Sequence, residues 1–369
     1  MRVLVTGSQG FIGKNLVVRL GELTGFEVLH FDRSDTVDAF PHLLAQADAL
    51  VHLAGENRPG DIADFVSVNV GLTKAICAAI KSSERRIPFI FASSIQADNA
   101  NAYGESKQSA EQVVKQLSME TNNPAVIYRL PNVFGKWCKP NYNSVVATFC
   151  HNIANDLPIQ INDAAAQLRL VYVDDVVSGF IHMLNSMEDG VHQAAKVVPE
   201  YSITVGDLAE QIEAFRNSRS TLVSERVGAG LVRALYSTYM SYLKPAKFAY
   251  DLPRYSDERG VFVEMLKTTD SGQFSYFTVL PGSTRGDHYH HSKTEKFLVI
   301  KGSANFKFRH ILSNEVFELD TTGETPRVVE TVPGWTHNIT NVGEDELIVM
   351  LWANEIFDSA RADTIAAKI

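Results

Sequence analysis

The sequence predicts an α/β doubly wound domain followed by an all-β domain, and three observations carry that expectation. The chain opens on an apolar strand, a glycine-rich turn and an amphipathic helix, and strand and helix patterns then alternate over its first two-thirds. From Arg254 the texture changes to short alternating strands separated by turn segments such as Asp257-Glu258-Arg259-Gly260 and Leu280-Pro281-Gly282. At 369 residues the chain is too long for one ordinary core. The expected limits are 1–243 for the first domain, 244–253 for a linker carrying Pro245 and Pro253, and 254–369 for the second.

Arg2-Val-Leu-Val-Thr6 reads as the first strand, and Gly7, Gly10 and Gly13 follow before a helix begins. Such a turn suits a dinucleotide pyrophosphate: glycines let the backbone bend tightly and approach the phosphates, and the helix N-terminus faces the negative charge. Thr6, Gly7, Gly10, Phe11, Ile12 and Gly13 are therefore candidate cofactor residues in a Rossmann-like domain. The second strand, Glu27 to Phe31, ends at Asp32-Arg33-Ser34. An acidic residue there suits the ribose hydroxyls of NAD, whereas an adjacent arginine suits the 2′-phosphate of NADP, so the two residues pull opposite ways. A third strand runs into Leu53-Ala54-Gly55, which also reaches the cofactor. A fourth strand ends in Ser93-Ser94, and Tyr103 and Lys107 follow on a helix.

A Tyr-x3-Lys pair is common by chance and usually sits on a surface helix. Here it follows a glycine-rich turn and a strand that ends in hydroxyls. Residues four apart share a helix face, and a nearby ammonium should lower the phenol from its usual pKa of about 10. Tyr103 could then exchange a proton with a carbonyl oxygen that Ser94 holds, with Lys107 as the cation. These motifs, with His52-Leu-Ala-Gly55 and Arg129-Leu-Pro-Asn132-Val-Phe-Gly135, resemble the extended short-chain dehydrogenase/reductases that act on nucleotide sugars. The resemblance implies contacts of Asn132 and Arg169 with the nucleotide-sugar. In one departure, Ser94 and Tyr103 stand closer in sequence than the family pattern, which predicts a more exposed substrate side. The helical patterns from Thr204 to about Leu243 are expected to complete this half.

In the second domain, His288 and His290 share a strand face, Glu295 can return beside them through a turn, and His337 lies several strands further on. An isolated His-x-His in a strand is more often structural. Three imidazoles and a carboxylate together suit a divalent transition ion. Gly282-x5-His288-x-His290-x4-Glu295-x6-Gly302 matches the first cupin signature at every fixed position, and Pro333-Gly334-x2-His337-x3-Asn341 resembles the second, one residue shorter between proline and glycine. The resemblance implies an all-β cupin (jelly-roll) domain with His288, His290, Glu295 and His337 as metal ligands. His291 is out of phase and should face solvent. Asp257 to Glu264 resembles the opening of the cupin-type deoxysugar 3,5-epimerases.

With 45% hydrophobic and 21% charged residues the chain reads as soluble and globular, and a net charge of −9 argues against nucleic-acid or anionic-membrane surfaces. Cys77, Cys138 and Cys150 have no metal spacing and fit a reducing compartment. The N-terminus runs straight into a strand, and no stretch reads as a membrane span, so a cytoplasmic location is expected. The arrangement as a whole resembles a family of bifunctional capsular-polysaccharide enzymes. That resemblance implies epimerisation at C3 of a UDP-4-keto-6-deoxy-N-acetylhexosamine in the cupin, then reduction at C4 with NADPH. It also implies zinc and a homodimer. Two rivals stand beside it: an NAD-dependent sugar epimerase or dehydratase with a regulatory cupin, and a non-catalytic sugar-binding scaffold.

Overall fold

The computed structural model describes residues 1–186, 192–360 and 362–369. The chain divides into two compact units, Met1–Ile212 with Arg233–Leu243, and Glu213–Val232 with Lys244–Ile369. The first is built from β1 (Arg2–Thr6), α1 (Phe11–Gly21), β2 (Glu27–Phe31), α2 (Phe40–Gln46), β3 (Ala49–His52), α3 (Leu72–Ser82), β4 (Phe89–Ser94), α4 (Ala102–Thr121) and β5 (Ala125–Leu130). There follow β6 (Asn132–Phe134), α5 (Val145–Ala154), β7 (Gln167–Tyr172), α6 (Val173–Ser186), β8 (His192–Ala195) and β9 (Tyr201–Thr204). Six strands make a parallel sheet in the order β2-β1-β3-β4-β5-β8, and β6-β7-β9 form a small second sheet.

Both faces of the parallel sheet are covered, which is why its strands read as continuous apolar runs. Leu4 of β1 packs with Phe31, Phe40, Ile76 and Phe89 on one face. Its neighbours Val3 and Val5 pack with Leu16, Val176 and Phe180 on the other. The strand order reverses between β1 and β3, and in open α/β sheets ligands bind beyond the carboxyl ends of strands at such a point.

One run, Phe65–Ser82, is long and apolar enough for a membrane span by length and composition, contrary to the expectation that no stretch would be. Its Ile76, Cys77 and Ile80 belong to the core against the sheet, and it carries buried Asn69 and Thr73. Core burial accounts for its apolar face.

The two units share α7 (Val205–Thr221), which runs into β10 (Val223–Ser224), and α8 (Gly230–Met240). Residues 213–232, expected within the first domain, group with the second unit, because β10 extends its sheet beside β12 through Val223↔Lys267 and Ser224↔Thr268. A two-residue strand leaves no periodicity to read. The second unit continues with β11 (Tyr255–Asp257), β12 (Gly260–Thr268), β13 (Gly272–Val279), β14 (Thr284–Tyr289), β15 (Glu295–Lys301), β16 (Ser303–His310), β17 (Val316–Thr322), β18 (Val328–Glu330), β19 (Trp335–Asn341), β20 (Leu347–Ala353) and β21 (Ile365–Ala366). These form two sheets: β10-β12-β13-β20-β15-β18, with β11 beside β12, and β17-β16-β19-β14-β21. Phe277, Phe297 and Val349 from one sheet pack with Phe306, Phe308 and Ile339 from the other. Polar residues alternate with them outward, as a two-sheet antiparallel core requires.

Candidate active site and candidate metal centre

In the first unit the glycine-rich turn joins β1 to α1. A Cβ on Gly13 would lie 2.1 Å from the Gly7 carbonyl oxygen, so no larger residue lets the helix start this close. The turn is tied to β3 through a chain of hydrogen bonds. Thr73 Oγ1 donates to the Asn69 carbonyl at 2.7 Å, so it accepts from His52 Nε2 at 3.0 Å. His52 Nδ1 is therefore an acceptor for Thr6 Oγ1 at 2.6 Å, and Thr6 Oγ1 in turn accepts the Leu53 and Ala54 amides at 3.2 Å. Burial, assisted by the charge of Lys107, lowers the His52 pKa to about 3 and keeps the ring neutral.

Asp32 turns back into the glycine-rich loop, where its carboxylate accepts Ser8 Oγ at 2.5 Å and the Gln9 amide at 2.9 Å. Arg33 extends an exposed guanidinium that pairs with Glu56 at 2.7 Å, and Ser34 is exposed beside it. Asn69, in the π-helical turn Phe65–Gly71, bonds both backbone groups of Glu56 and the Ser106 hydroxyl, which joins the loop after β3 to α4.

Asn101 caps α4 by accepting the Gly104 amide at 2.9 Å, which places Tyr103 in its first turn. Ser94, Tyr103, Lys107 and Asn132 line one cavity of about 430 Å³, and Phe11, Ile12, Arg33, Leu53 and Gly55 share its wall. The phenol does not behave as the spacing alone suggested. Burial raises the Tyr103 pKa, the Ser94 hydroxyl bonded to it pulls the other way, and the net shift is upward. Lys107 donates to the Ala92 carbonyl at 3.1 Å, and burial lowers it to about 8 against the attraction of Glu111. Arg169, expected at a substrate diphosphate, donates to Glu200 at 2.5 Å, and Asn132 donates to the Arg169 carbonyl at 3.1 Å. Glu111 went unrecognised in the sequence. It is buried, accepts Ser93 Oγ at 2.6 Å and takes two bonds at 2.8 Å from Arg129. Its place four residues after Lys107 put it on the same helix face, the one signal available.

In the second unit the structure brings His288, His290, Glu295 and His337 together, with ligand atoms within 4.8 Å of one another. β14 pairs with β19 so that His288 stands opposite His337, after a bulge between Gly286 and His288. Glu295 begins β15, and its Oε2 lies 3.2 Å from His290 Nε2 and 3.4 Å from His337 Nε2. Burial pushes the Glu295 carboxyl up, but the His290 and His337 imidazoles and the Lys293 ammonium outweigh it and hold the group well below the usual carboxylate range. Burial, with His337 adding, lowers His288 to about 4, so it offers a neutral nitrogen.

This arrangement fits a metal ion. His337 is 3% exposed, yet its Nδ1 has no hydrogen-bond partner and its Nε2 faces Glu295 Oε2 at a long 3.4 Å, which is costly unless a cation takes a lone pair. The pattern of three imidazoles and one carboxylate is that of a divalent transition-metal site. Lys293, which sequence reading passed over, is buried and reaches Glu295 Oε1 at 2.8 Å. His291 is exposed, with its ring against Tyr289.

Residues 3–198 match the NAD dependent epimerase/dehydratase family, and residues 255–365 match the Polysaccharide biosynthesis C-terminal domain. The chain is 55% identical over 370 residues to a UDP-2-acetamido-2,6-beta-L-arabino-hexul-4-ose reductase of Pseudomonas aeruginosa, covering 100% of this chain and 99% of the relative. Among solved structures it resembles the capsular polysaccharide assembling protein CapF of Staphylococcus aureus, with a TM-score of 0.91 and 38% identity over 100% of both chains. A UDP-glucuronic acid 4-epimerase of Bacillus cereus, solved with NAD, matches 66% of this chain and 98% of its own at a TM-score of 0.57 and 18% identity, a likeness of fold alone.

Proposed function

The chain belongs to the CapF family, its first half a member of the NAD dependent epimerase/dehydratase family, and from that membership we propose two consecutive steps on one UDP-linked sugar. It is a nucleotide-sugar oxidoreductase of polysaccharide synthesis. In the finer reading, the second unit is a cupin that inverts C3 of a UDP-4-keto-6-deoxy-N-acetylhexosamine. The first unit then reduces the C4 ketone to a UDP-6-deoxy-N-acetyl-talosamine-type product, toward UDP-N-acetyl-L-fucosamine. The observation that carries the reading is the meeting of Ser94, Tyr103 and Lys107 in one cavity with the residues that flank the glycine-rich turn.

NADPH, when bound there, would supply the hydride. Tyr103, kept protonated by its burial, donates its proton to the ketone oxygen; Ser94 holds that oxygen, and the Lys107 ammonium favours the phenolate left behind. Both Asp32 oxygens are engaged by the glycine-rich loop, and Arg33, by leaving Glu56, would reach a 2′-phosphate together with Ser34, which favours NADPH over NAD. Phe11, Ile12, Leu53 and Gly55 line the cavity, and Thr6, Gly7, Gly10, Gly13 and Ala54 of the adjoining turns would complete the cofactor site. Asn132, in the wall of the same cavity, would contact the sugar, and Arg169 would reach a diphosphate by leaving Glu200.

A divalent ion, zinc by family likeness, held by His288, His290, Glu295 and His337 would supply a Lewis acid for the enolate oxygen of a 4-keto sugar. The order follows from the chemistry: the hydrogen at C3 is acidic only while C4 is a ketone. Family membership is also the ground for a cytoplasmic homodimer, and three free, buried cysteines suit a reducing compartment.

Proton NMR of the 4-keto sugar with the protein in D2O tests both steps. The expected result is deuterium at C3 before NADPH is added and one reduced product after. NADPH consumption without prior exchange would leave a simple ketosugar reductase and remove the epimerase.

A further inference from the structure

We propose that the C-terminal segment, through Asp363 and β21, is a positioning part of the metal centre that fixes which nitrogen His290 offers. His290 Nδ1 lies 2.5 Å from the Asp363 carbonyl oxygen. A carbonyl accepts only, so Nδ1 carries a proton, and Nε2, 3.2 Å from Glu295 Oε2, is the nitrogen left to offer a lone pair to an ion. A ligating histidine generally owes its tautomer and ring angle to such an outer partner.

The same residue holds the turn that leads to Glu295. The Asp363 carboxylate accepts the amides of His291 at 2.8 Å, Ser292 at 2.7 Å and Lys293 at 2.9 Å, and the Ser292 hydroxyl at 2.9 Å. With the turn so held, Lys293 meets Glu295 Oε1, and Oε2 is left for the imidazoles. β21 then pairs with the strand that carries His288, through His288↔Ala366 and Tyr289↔Ile365. The Ala367 amide donates to the Asp287 carbonyl at 2.9 Å, and Arg309 Nη2 donates to the Lys368 carbonyl at 2.6 Å. Thus a segment more than 70 residues from His290 braces two ligands and the turn to a third.

The inference rests on the metal reading of this site. It is tested on the full chain with Asp363→Ala, which removes the clamp that holds the Asp363 carbonyl against His290, and with Asp363→Asn as the conservative variant. A third form lacks residues 365–369 and so loses β21 while retaining Asp363. Zinc affinity is measured by competition with a chromophoric chelator, and the His290 tautomer by nitrogen-15 NMR of the zinc-loaded protein. Wild type is expected to show the Nδ1–H tautomer. Asp363→Ala and the truncated form should bind zinc about 10- to 100-fold more weakly with a mixed His290 tautomer, and Asp363→Asn should recover part of both. Unchanged affinity and tautomer in the first two would overturn the proposal while sparing the metal site. Weaker zinc binding with the His290 tautomer intact would also overturn it, assigning the tail to holding the fold. No zinc binding by wild type would remove the metal reading and the proposal with it.

Discussion

Burial holds the Tyr103 phenol protonated, and Lys107, lowered to about 8, keeps its charge below that pH. Tyr103→Phe removes the proton donor and Lys107→Ala the charge that favours its loss. Each should slow NADPH oxidation about 10²- to 10⁴-fold while deuterium exchange at C3 continues. Normal oxidation in both variants would place the proton elsewhere. His52 makes a separate, pH-dependent contribution to stability. Its folded pKa of about 3 lies below the ordinary 6.5, so the unfolded chain takes up a proton over that window and the folded one does not. The stability present above 6.5 is lost as pH falls toward 3, by up to about 1.4 kcal/mol per pH unit. Amide exchange in β1 and β3 checks this: the stability gap between wild type and His52→Gln should narrow by about 2 kcal/mol between pH 6.5 and 5. A constant gap would mean that His52 is already charged in the fold.

At the scale of elements, a helix start and a strand bulge aim the reactive groups. The Asn101 cap fixes the first turn of α4, and from there Tyr103, Lys107 and Glu111 descend one face at four-residue steps. In β14, Gly286 has φ of 107° and Asp287 φ of 58°, and the pairing with β19 slips by one residue before His288. A Cβ on Gly286 would lie 2.8 Å from both Asn338 Cα and the His337 carbonyl oxygen. Gly286→Ala must strain the bulge or push β19 away, at a cost of about 1–3 kcal/mol, and β19 carries His337. Bound zinc after dialysis should fall well below the wild-type ratio. Full retention would show that the bulge does not aim the ligands.

At the scale of the whole molecule, each unit holds a site built within its own residues, and the two sites depend on different chemistry. Chelation of the metal should therefore abolish deuterium exchange at C3 while reduction of an already inverted 4-keto sugar proceeds at its normal rate. Stopped-flow NADPH absorbance and NMR on the same sample check this, and loss of both activities would mean that the ion serves the fold of the entire chain.

Much of this was legible in the sequence because the signals are local. The glycine-rich turn, the Tyr103–Lys107 step and the His288-x-His290 alternation each depend on a few neighbouring residues and one backbone period, so their spacing determined fold class and candidate groups. The long-range partners were not legible. Glu200 holds Arg169, the Ser8 hydroxyl holds Asp32, and Asp363 holds His290, each through contacts that no periodicity encodes. The direction of the Tyr103 shift depended on burial, and the pull against it comes from the Ser94 hydroxyl rather than from the cation that the motif promised. Residue identity and spacing determined which chemistry the chain carries; the tertiary structure decided which groups are buried, how they are paired and which atoms they present, because desolvation and hydrogen bonding belong to the packed chain.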